Sequence, residues 1–209
     1  VTPAVPAGAR VVLATNNAKK LTELRRVSER EGIQVLGLAD FERYPEPAET
    51  ELSFEGNALL KARACVAATG LPALADDSGI AVDVLNGMPG VRSARWAGPG
   101  ATDTDNLGLL LRQLADVPAE RRDAQFVSAL ALVLPDGRSQ VTHGLMPGRL
   151  AVSPAGENGF GYDPIFVPDG ETRTTAELSA AEKDAISHRG QAIRAMVPHL
   201  VRLVGEETR

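Results

Sequence analysis

Apolar positions along the chain alternate between short β-branched runs and longer stretches with helical spacing. Arg10 to Thr15 (RVVLAT) is a compact valine-rich run that reads as a buried strand. Asn16 and Asn17 follow, and from Ala18 to Arg30 the apolar residues Leu21, Leu24 and Val27 recur every third position. That pattern predicts a strand, a polar turn with asparagine as N-cap, and an amphipathic helix. Gly32 to Leu38 predicts a second strand, and Asp40 to Thr50, which holds Pro45 and Pro47, a surface loop. A helix is expected over Ser53 to Thr69, capped by Ser53, with Phe54, Ala58, Lys61, Ala62 and Cys65 spaced along it and Gly70-Leu71-Pro72 as its stop. Ala73 to Ala75 leads into Asp76-Asp77-Ser78-Gly79, whose residue types read as a turn, and Ile80 to Leu85 alternates like a strand. Asn86 to Gly100 reads as an ordered loop. Leu107, Leu110, Leu111 and Leu114 mark one face of a helix over Thr104 to Leu114. Pro135-Asp136-Gly137-Arg138 joins Ala124–Leu134 to Ser139–Leu145 as a hairpin. A glycine- and proline-rich loop over Ser153 to Asp169 and a last helix over Arg189 to Val204 complete the reading.

Interleaved helices and strands with one antiparallel hairpin predict an α/β fold built on a mixed central sheet flanked by helices. No repeat or linker interrupts the pattern. The expectation is a single domain over residues 10–204, a smaller hairpin-containing lobe at about 120–150, and flexible ends at 1–8 and 205–209. Composition leaves this picture unchanged: 44% apolar and 23% charged residues are ordinary for a globular chain. A net charge of −5 argues against a duplex nucleic-acid partner, which requires a basic face, but not against a small polyanion that brings its own metal. The one cysteine, Cys65, lies among alanines and valine and reads as an inert core thiol. With no secretory leader and no apolar run of about 18 residues, the expectation is a cytoplasmic protein without membrane insertion.

Five stretches carry candidate chemistry. Thr15-Asn16-Asn17-Ala18-Lys19-Lys20 places small polar residues and two lysines where a strand enters a helix. Backbone N–H groups and the positive dipole end there suit an anion, although an asparagine before a helix is also an ordinary cap. Asp76-Asp77 offers two carboxylates at the end of an apolar segment. They suit magnesium, or a carboxylate that deprotonates water, or a solvated turn. Glu49-Thr50-Glu51 precedes the helix that carries Lys61; a loop carboxylate there can complete a magnesium site and Lys61 can reach a phosphate, or both are ordinary surface charges. Gly159-Phe160-Gly161-Tyr162-Asp163-Pro164 sets aromatics between glycines, which leaves a ring face open for a base or buries it in the core. Lys183, His188 and Arg189 are donors for a carbonyl or phosphate, while Ser187 or His188 can equally cap the last helix. The three histidines, His143, His188 and His199, are too dispersed for a zinc site.

The order of these motifs is more specific than any one of them. Thr15-Asn16-Asn17 with Lys20, Ser53-Phe54-Glu55-Gly56-Asn57-Ala58 with Lys61-Ala62, Ala75-Asp76-Asp77-Ser78-Gly79, Gly159-Phe160-Gly161-Tyr162-Asp163-Pro164 and Ser187-His188-Arg189-Gly190 together closely resemble the Ham1 family of inosine/xanthosine triphosphate pyrophosphatases, over about residues 10–204. The resemblance implies two lobes with the active-site cleft between them, a homodimer, and Mg2+ as cofactor. It implies hydrolysis of damaged purine nucleoside triphosphates (ITP, dITP, XTP) to monophosphate and pyrophosphate. By position, Thr15 to Lys20 and Lys61 would contact the triphosphate. Asp77 would be proton acceptor and metal ligand, with Glu49 as the second metal carboxylate, and Ser78 would touch substrate. Phe160, Gly161, Tyr162 and Asp163 would hold the base, with Lys183, His188 and Arg189 completing recognition. Ala48, Glu51 and Trp96 depart from residues common in the family. A nucleotide sensor without the chemistry, or a pyrophosphatase for other modified nucleotides, is the competing expectation.

Overall fold

In a computed structural model of the protein, residues 10–15, 21, 22, 25 and 34–207 are described, 204–207 by their backbone alone. The expected helix at 18–30 is represented only by Leu21, Thr22 and Arg25, all helical, and Asn16 to Lys20 and the end at 1–8 lie outside the described residues. The strands are β1 (Arg10–Leu13), β2 (Gln34–Gly37), β3 (Ala73–Val82), β4 (Met88–Pro89), β5 (Asp123–Val133), β6 (Ser139–Leu150) and β7 (Phe166–Pro168). The helices are α1 (Phe54–Thr69), α2 (Asp103–Gln113), α3 (Ala180–Ile186) and α4 (His188–Glu207). The fold is mixed α/β, as expected. The strands form one sheet in the order β2-β1-β3-β5-β6-β7, with β4 on β3. β1 runs parallel to β2 and β3, whereas β3–β4 and β6–β7 are antiparallel. Among the described residues no helix is long and apolar enough to cross a membrane.

The chain divides into two compact units. The first comprises the described residues of Val1–Asp77, Ser128–Gly144 and Arg189–Arg209. Its layering follows from the two-residue period of a strand. Val11, Leu13, Leu74, Leu130, Leu132 and Leu134 point to one face, where Ala192, Ile193, Met196, Leu200 and Leu203 of α4 cover them. Val12, Ala14, Ala73, Ala75, Ala129, Ala131 and Val133 point to the other and meet Ala58, Ala62 and Cys65 of α1. Small residues on both sides of that second contact let α1 approach the sheet closely. Ser53 caps α1 as expected, accepting from the Gly56 N–H, and Gly70 ends it with a left-handed φ of 68°.

The second unit comprises Ser78–Val127 and Leu145–His188. Ile80, Val82, Leu107, Leu110, Leu114, Phe126, Met146, Ile165 and Phe166 build its core. The expected leucine face of α2 is therefore buried, although the helix starts one residue early. Thr102 accepts from the Asp105 N–H and Asp105 returns the bond to the Thr102 N–H, which closes a capping box. Trp96 packs on this core and its indole N–H donates to Gln113 Oε1 at 2.7 Å.

Three local expectations are corrected. Asp76-Asp77-Ser78-Gly79 is no turn: β3 runs unbroken through it and ends at Val82, three residues before the expected Leu85. Both carboxylates have partners inside the protein, so the usual reason for aspartate to favour a turn does not apply. Gly79 is required by close approach, since a Cβ there would meet Ser93 Oγ and lie 2.6 Å from the Gly90 carbonyl. β6 continues five residues past the expected Leu145, through Pro147 and Gly148, to pair with β7. A Cβ at Gly148 would collide with the Val167 carbonyl. Finally, residues 180–186 form a helix that the sequence reading did not contain, capped by Ser179 accepting from Glu182 N.

Candidate functional site

The strand period separates the two adjacent aspartates of β3. Asp77 shares the face of Ala73 and Ala75 and points at α1; Asp76 shares the face of Leu74 and points at α4. Asp77 Oδ1 accepts from Lys61 Nζ at 2.9 Å, and its Oδ2 accepts from Asn57 Nδ2 at 3.3 Å. Asn57 and Lys61 are four residues apart, so α1 stacks them on one side. Lys61 Nζ also donates to Glu49 Oε1 at 3.1 Å. Asp76 Oδ2 lies 3.6 Å from Arg189 Nε at the start of α4. The first unit thus gathers Glu49, Lys61 and Asp77 around one ammonium group, with Asp76 and Arg189 paired on the opposite face of the strand.

Lys61 and Asp77 are 8% and 9% exposed at their side chains, so the pair operates largely out of water. Burial pushes the Asp77 carboxyl above the usual carboxylate range, with Lys61 and Asn57 opposing and Glu49 adding to the rise. For Lys61, burial acts to lower the ammonium's pKa, but the surrounding Asp77, Asp76 and Glu49 charges outweigh it and raise it. Glu51, the other glutamate of the Glu49-Thr50-Glu51 stretch, has its side chain against Gly56. Glu49 is the one whose carboxylate meets Asp77's partner.

In the second unit the Gly159–Asp163 loop is organised by its own aspartate. Asp163, 2% exposed, accepts from the Phe160 N–H at 2.8 Å, from Thr175 Oγ1 at 2.8 Å and from Lys183 Nζ at 2.6 Å. A Cβ at Gly159 would strike Asp163 Oδ2, and Gly159 has φ 76°, so glycine is required there on both counts. Lys183 Nζ stands 5.3 Å from the centroid of the Phe160 ring, within cation–π range. The Gly161 N–H donates to Asp103 Oδ2 at 2.8 Å. Tyr162 is 5% exposed and donates its hydroxyl to the Ser93 carbonyl at 2.8 Å. Burial raises its phenol pKa further above an already high value. His188 is 3% exposed and stacks on Phe126 at 5.0 Å between ring centroids, 9° from parallel.

Of the residues expected from sequence, the structure brings Glu49, Lys61 and Asp77 together in one unit, and Phe160, Asp163 and Lys183 in the other. Thr15 follows β1, and Asn16, Asn17, Ala18, Lys19 and Lys20 lie outside the described residues. Ser78 succeeds Asp77 in β3. Asn57, Asp103 and Thr175 had been assigned no role, and Asp76, offered beside Asp77 as a carboxylate pair, instead faces Arg189. The signal for Asn57 was available: it stands one helical turn before Lys61 on a helix correctly expected.

A cation site can be tested on this geometry. Glu49 and Asp77 converge on one ammonium, which shows that two hard oxygen donors address the same cationic point. Among the described residues no group of three or more His, Cys, Asp or Glu could hold a metal. A pair of carboxylates completed by water and substrate oxygens is the donor set magnesium accepts, whereas an all-protein cage suits calcium or zinc.

Residues 11–199 match the model of the Ham1 family, so the chain belongs to that family. It is 57% identical over 198 residues to a dITP/XTP pyrophosphatase of Nocardia farcinica, covering 93% of this chain and 96% of that protein. Among solved structures it matches the nucleoside-triphosphatase (dITP/XTP pyrophosphatase) of Mycobacterium abscessus, at 56% identity and TM-score 0.76 over 90% of this chain and 99% of that one. It also matches a HAM1 protein of Coxiella burnetii, at 40% identity and TM-score 0.86 over 93% and 99% of the two chains.

Proposed function

We propose that this protein is a pyrophosphohydrolase for damaged purine nucleoside triphosphates, of the dITP and XTP type, working with Mg2+. Similarity above one half in identity to proteins named for that activity supports the substrate class. The observation that carries the chemistry is the convergence of Glu49 and Asp77 on Lys61 in a largely buried setting.

Magnesium, when bound by Asp77 and Glu49, supplies positive charge that offsets repulsion between triphosphate oxygens and acidifies water. Asp77 accepts a proton from the attacking water, whose oxygen forms a bond to the α-phosphorus. The bond from that phosphorus to the bridging oxygen breaks, and pyrophosphate leaves with the electron pair. A monophosphate remains. Asp77 is suited to the proton because burial raises its basicity while Lys61 and Asn57 keep the carboxylate oriented. Lys61, and the stretch Thr15 to Lys20, provide cationic and N–H donors for the phosphates. Phe160 presents its ring to the base, and Ser78 contacts substrate. Tyr162 and Asp163 shape that loop from within the core, Gly161 gives its turn, and Lys183 bridges loop and α3.

Base choice follows from donors. His188 and Arg189 pair with a carbonyl at C6 of hypoxanthine or xanthine, and adenine, with an amine there, leaves a buried donor unsatisfied at a cost of about 1–3 kcal/mol. The same reading places the protein with the nucleotide pool of the cytoplasm. It also makes the protein a homodimer, for which Met88, 37% exposed, and Val84, 48% exposed, offer apolar surface; sedimentation velocity tests the dimer. The activity is tested by pyrophosphate release from ITP, XTP, GTP and ATP with Mg2+ and with EDTA. The expected result is metal-dependent pyrophosphate from ITP and XTP that disappears in Asp77→Asn. Orthophosphate with IDP, or binding without turnover, would end the proposal.

A further inference from the structure

Asn57 is 0% exposed in the first turns of α1. Asparagine is a weak helix former, and a buried amide is costly unless its hydrogen bonds are made. Here they are made, and all outside the helix. Oδ1 accepts from the Glu51 N–H at 3.0 Å. Nδ2 is shared between the Glu51 carbonyl at 3.4 Å and Asp77 Oδ2 at 3.3 Å. One side chain therefore grips the backbone of the loop two residues beyond Glu49 and the carboxylate on β3. Gly56 reinforces the grip, because a Cβ there would fall 2.7 Å from Glu51 Cβ and push the loop off the helix.

Lys61, one turn further along α1, holds the other oxygen of Asp77 and reaches Glu49. The two contacts differ in kind. A lysine supplies charge through a flexible stem and follows its partners. The short asparagine side chain, pinned by two bonds to Glu51, sets where they sit and stops the Asp77 carboxylate from rotating.

We infer that Asn57 is a positioning residue that fixes the Asp77 carboxylate and the Glu49-bearing loop at the spacing at which both address one divalent cation. The inference rests on the proposed role of Glu49 and Asp77 as the cation pair. Partners that orient metal-holding side chains typically change metal affinity by about 10–100-fold.

The test uses Asn57→Ala, which removes all three bonds, and Glu51→Pro, which removes the N–H that donates to Oδ1 and keeps the carbonyl that accepts from Nδ2, with φ fixed by the ring. Glu51→Ala retains that N–H and is the control. Two quantities are read: the Mn2+ dissociation constant of nucleotide-free protein by calorimetry, and the Mg2+ concentration giving half-maximal pyrophosphate release. Asn57→Ala is expected to raise both by about tenfold or more, with kcat at saturating Mg2+ largely recovered. Glu51→Pro is expected to raise both by a smaller factor and Glu51→Ala to match wild type. A folded Asn57→Ala with Mn2+ affinity within twofold of wild type, or a kcat loss that excess Mg2+ does not restore, overturns the inference. If Asn57→Ala does not fold, equal Mn2+ affinity in Glu51→Pro and Glu51→Ala overturns it. Wild-type protein that takes up no Mn2+ and releases no pyrophosphate instead defeats the functional reading itself, a result distinct from variants that behave like a working wild type.

Discussion

Asp163 and Lys183 form an ion pair at 2.6 Å, with the carboxylate 3% and the ammonium 15% exposed at their side chains. Asp163 also accepts from the Phe160 N–H and the Thr175 hydroxyl, so its removal takes a carboxylate acceptor from three donors, although the Thr175 hydroxyl keeps the residue's backbone carbonyl at 3.1 Å. Asp163→Ala is expected to lower stability by about 3–5 kcal/mol, the range for breaking a buried pair. Lys183→Met is expected to cost less, because Asp163 keeps two of its partners. Urea unfolding of both variants checks the order, and equal losses would show that Asp163 is not the organising member.

Lys61 is the countercharge between Glu49 and Asp77. Lys61→Met leaves the two carboxylates to repel each other in a poorly hydrated place. The expected outcome is a lower Tm in EDTA and a larger gain in Tm on adding Mg2+ than wild type shows. Pyrophosphate release should fall by about 100-fold, the loss typical of removing one positioned electrostatic donor. Thermal melts with and without Mg2+ decide it, and an unchanged Mg2+ increment would count against the shared cation position.

Gly79 admits no side chain: a Cβ would lie 2.6 Å from the Gly90 carbonyl and 2.9 Å from Ser93 Cβ. Gly79→Ala should destabilise the protein by about 1–3 kcal/mol through overpacking. Because Ser93 Oγ also accepts from the Ile80 N–H at 2.9 Å, the same change should speed hydrogen exchange at Ile80.

Glu182 closes the capping box of α3, and its pKa is held down to about 2 by the Ser179 hydroxyl first, then the Ser179 N–H and Arg173. A carboxyl held below its ordinary value, here 4.5, adds stability above that value and loses it as pH falls toward 2. The Tm gap between wild type and Glu182→Gln should therefore be full at pH 7 and narrow steadily below about pH 4.5. A gap that widens on acidification would reverse the sign.

His188 lies flat on Phe126, and Arg189 is beside Asp76, so both donors are held by packing as well as by charge. The double variant His188→Ala/Arg189→Ala should narrow the ratio of kcat/KM for ITP over ATP by about 10-fold or more, since each lost donor removes about 1–3 kcal/mol of discrimination. Selectivity that survives the double change would assign it elsewhere.

Much of this architecture was legible because period and punctuation agree. Ser53 and Gly70 bracket α1 as their chemistry requires, and Pro135 to Arg138 turns the hairpin, with the Leu134 N–H donating to Arg138 at 2.9 Å. Reading failed where a tertiary contact overrides local preference. Asp76 and Asp77 have turn-type composition, but partners on opposite faces of the sheet hold them in a strand. The strand expected to stop at Leu145 instead runs on through Pro147 and Gly148, because β7 comes so close that Gly148 is the residue that fits. The pairing of Glu49 rather than Glu51 with Lys61 depends on how a loop folds over Gly56, and spacing alone carries no trace of it.

The buried thiol of Cys65 has a practical corollary. It is the chain's one cysteine, it is 0% exposed, and burial lifts its pKa away from the reactive thiolate. A maleimide dye should therefore pass over the natural protein and take only a cysteine introduced at the surface. A single introduced handle would then carry a dye at a chosen position with no native thiol to delete beforehand.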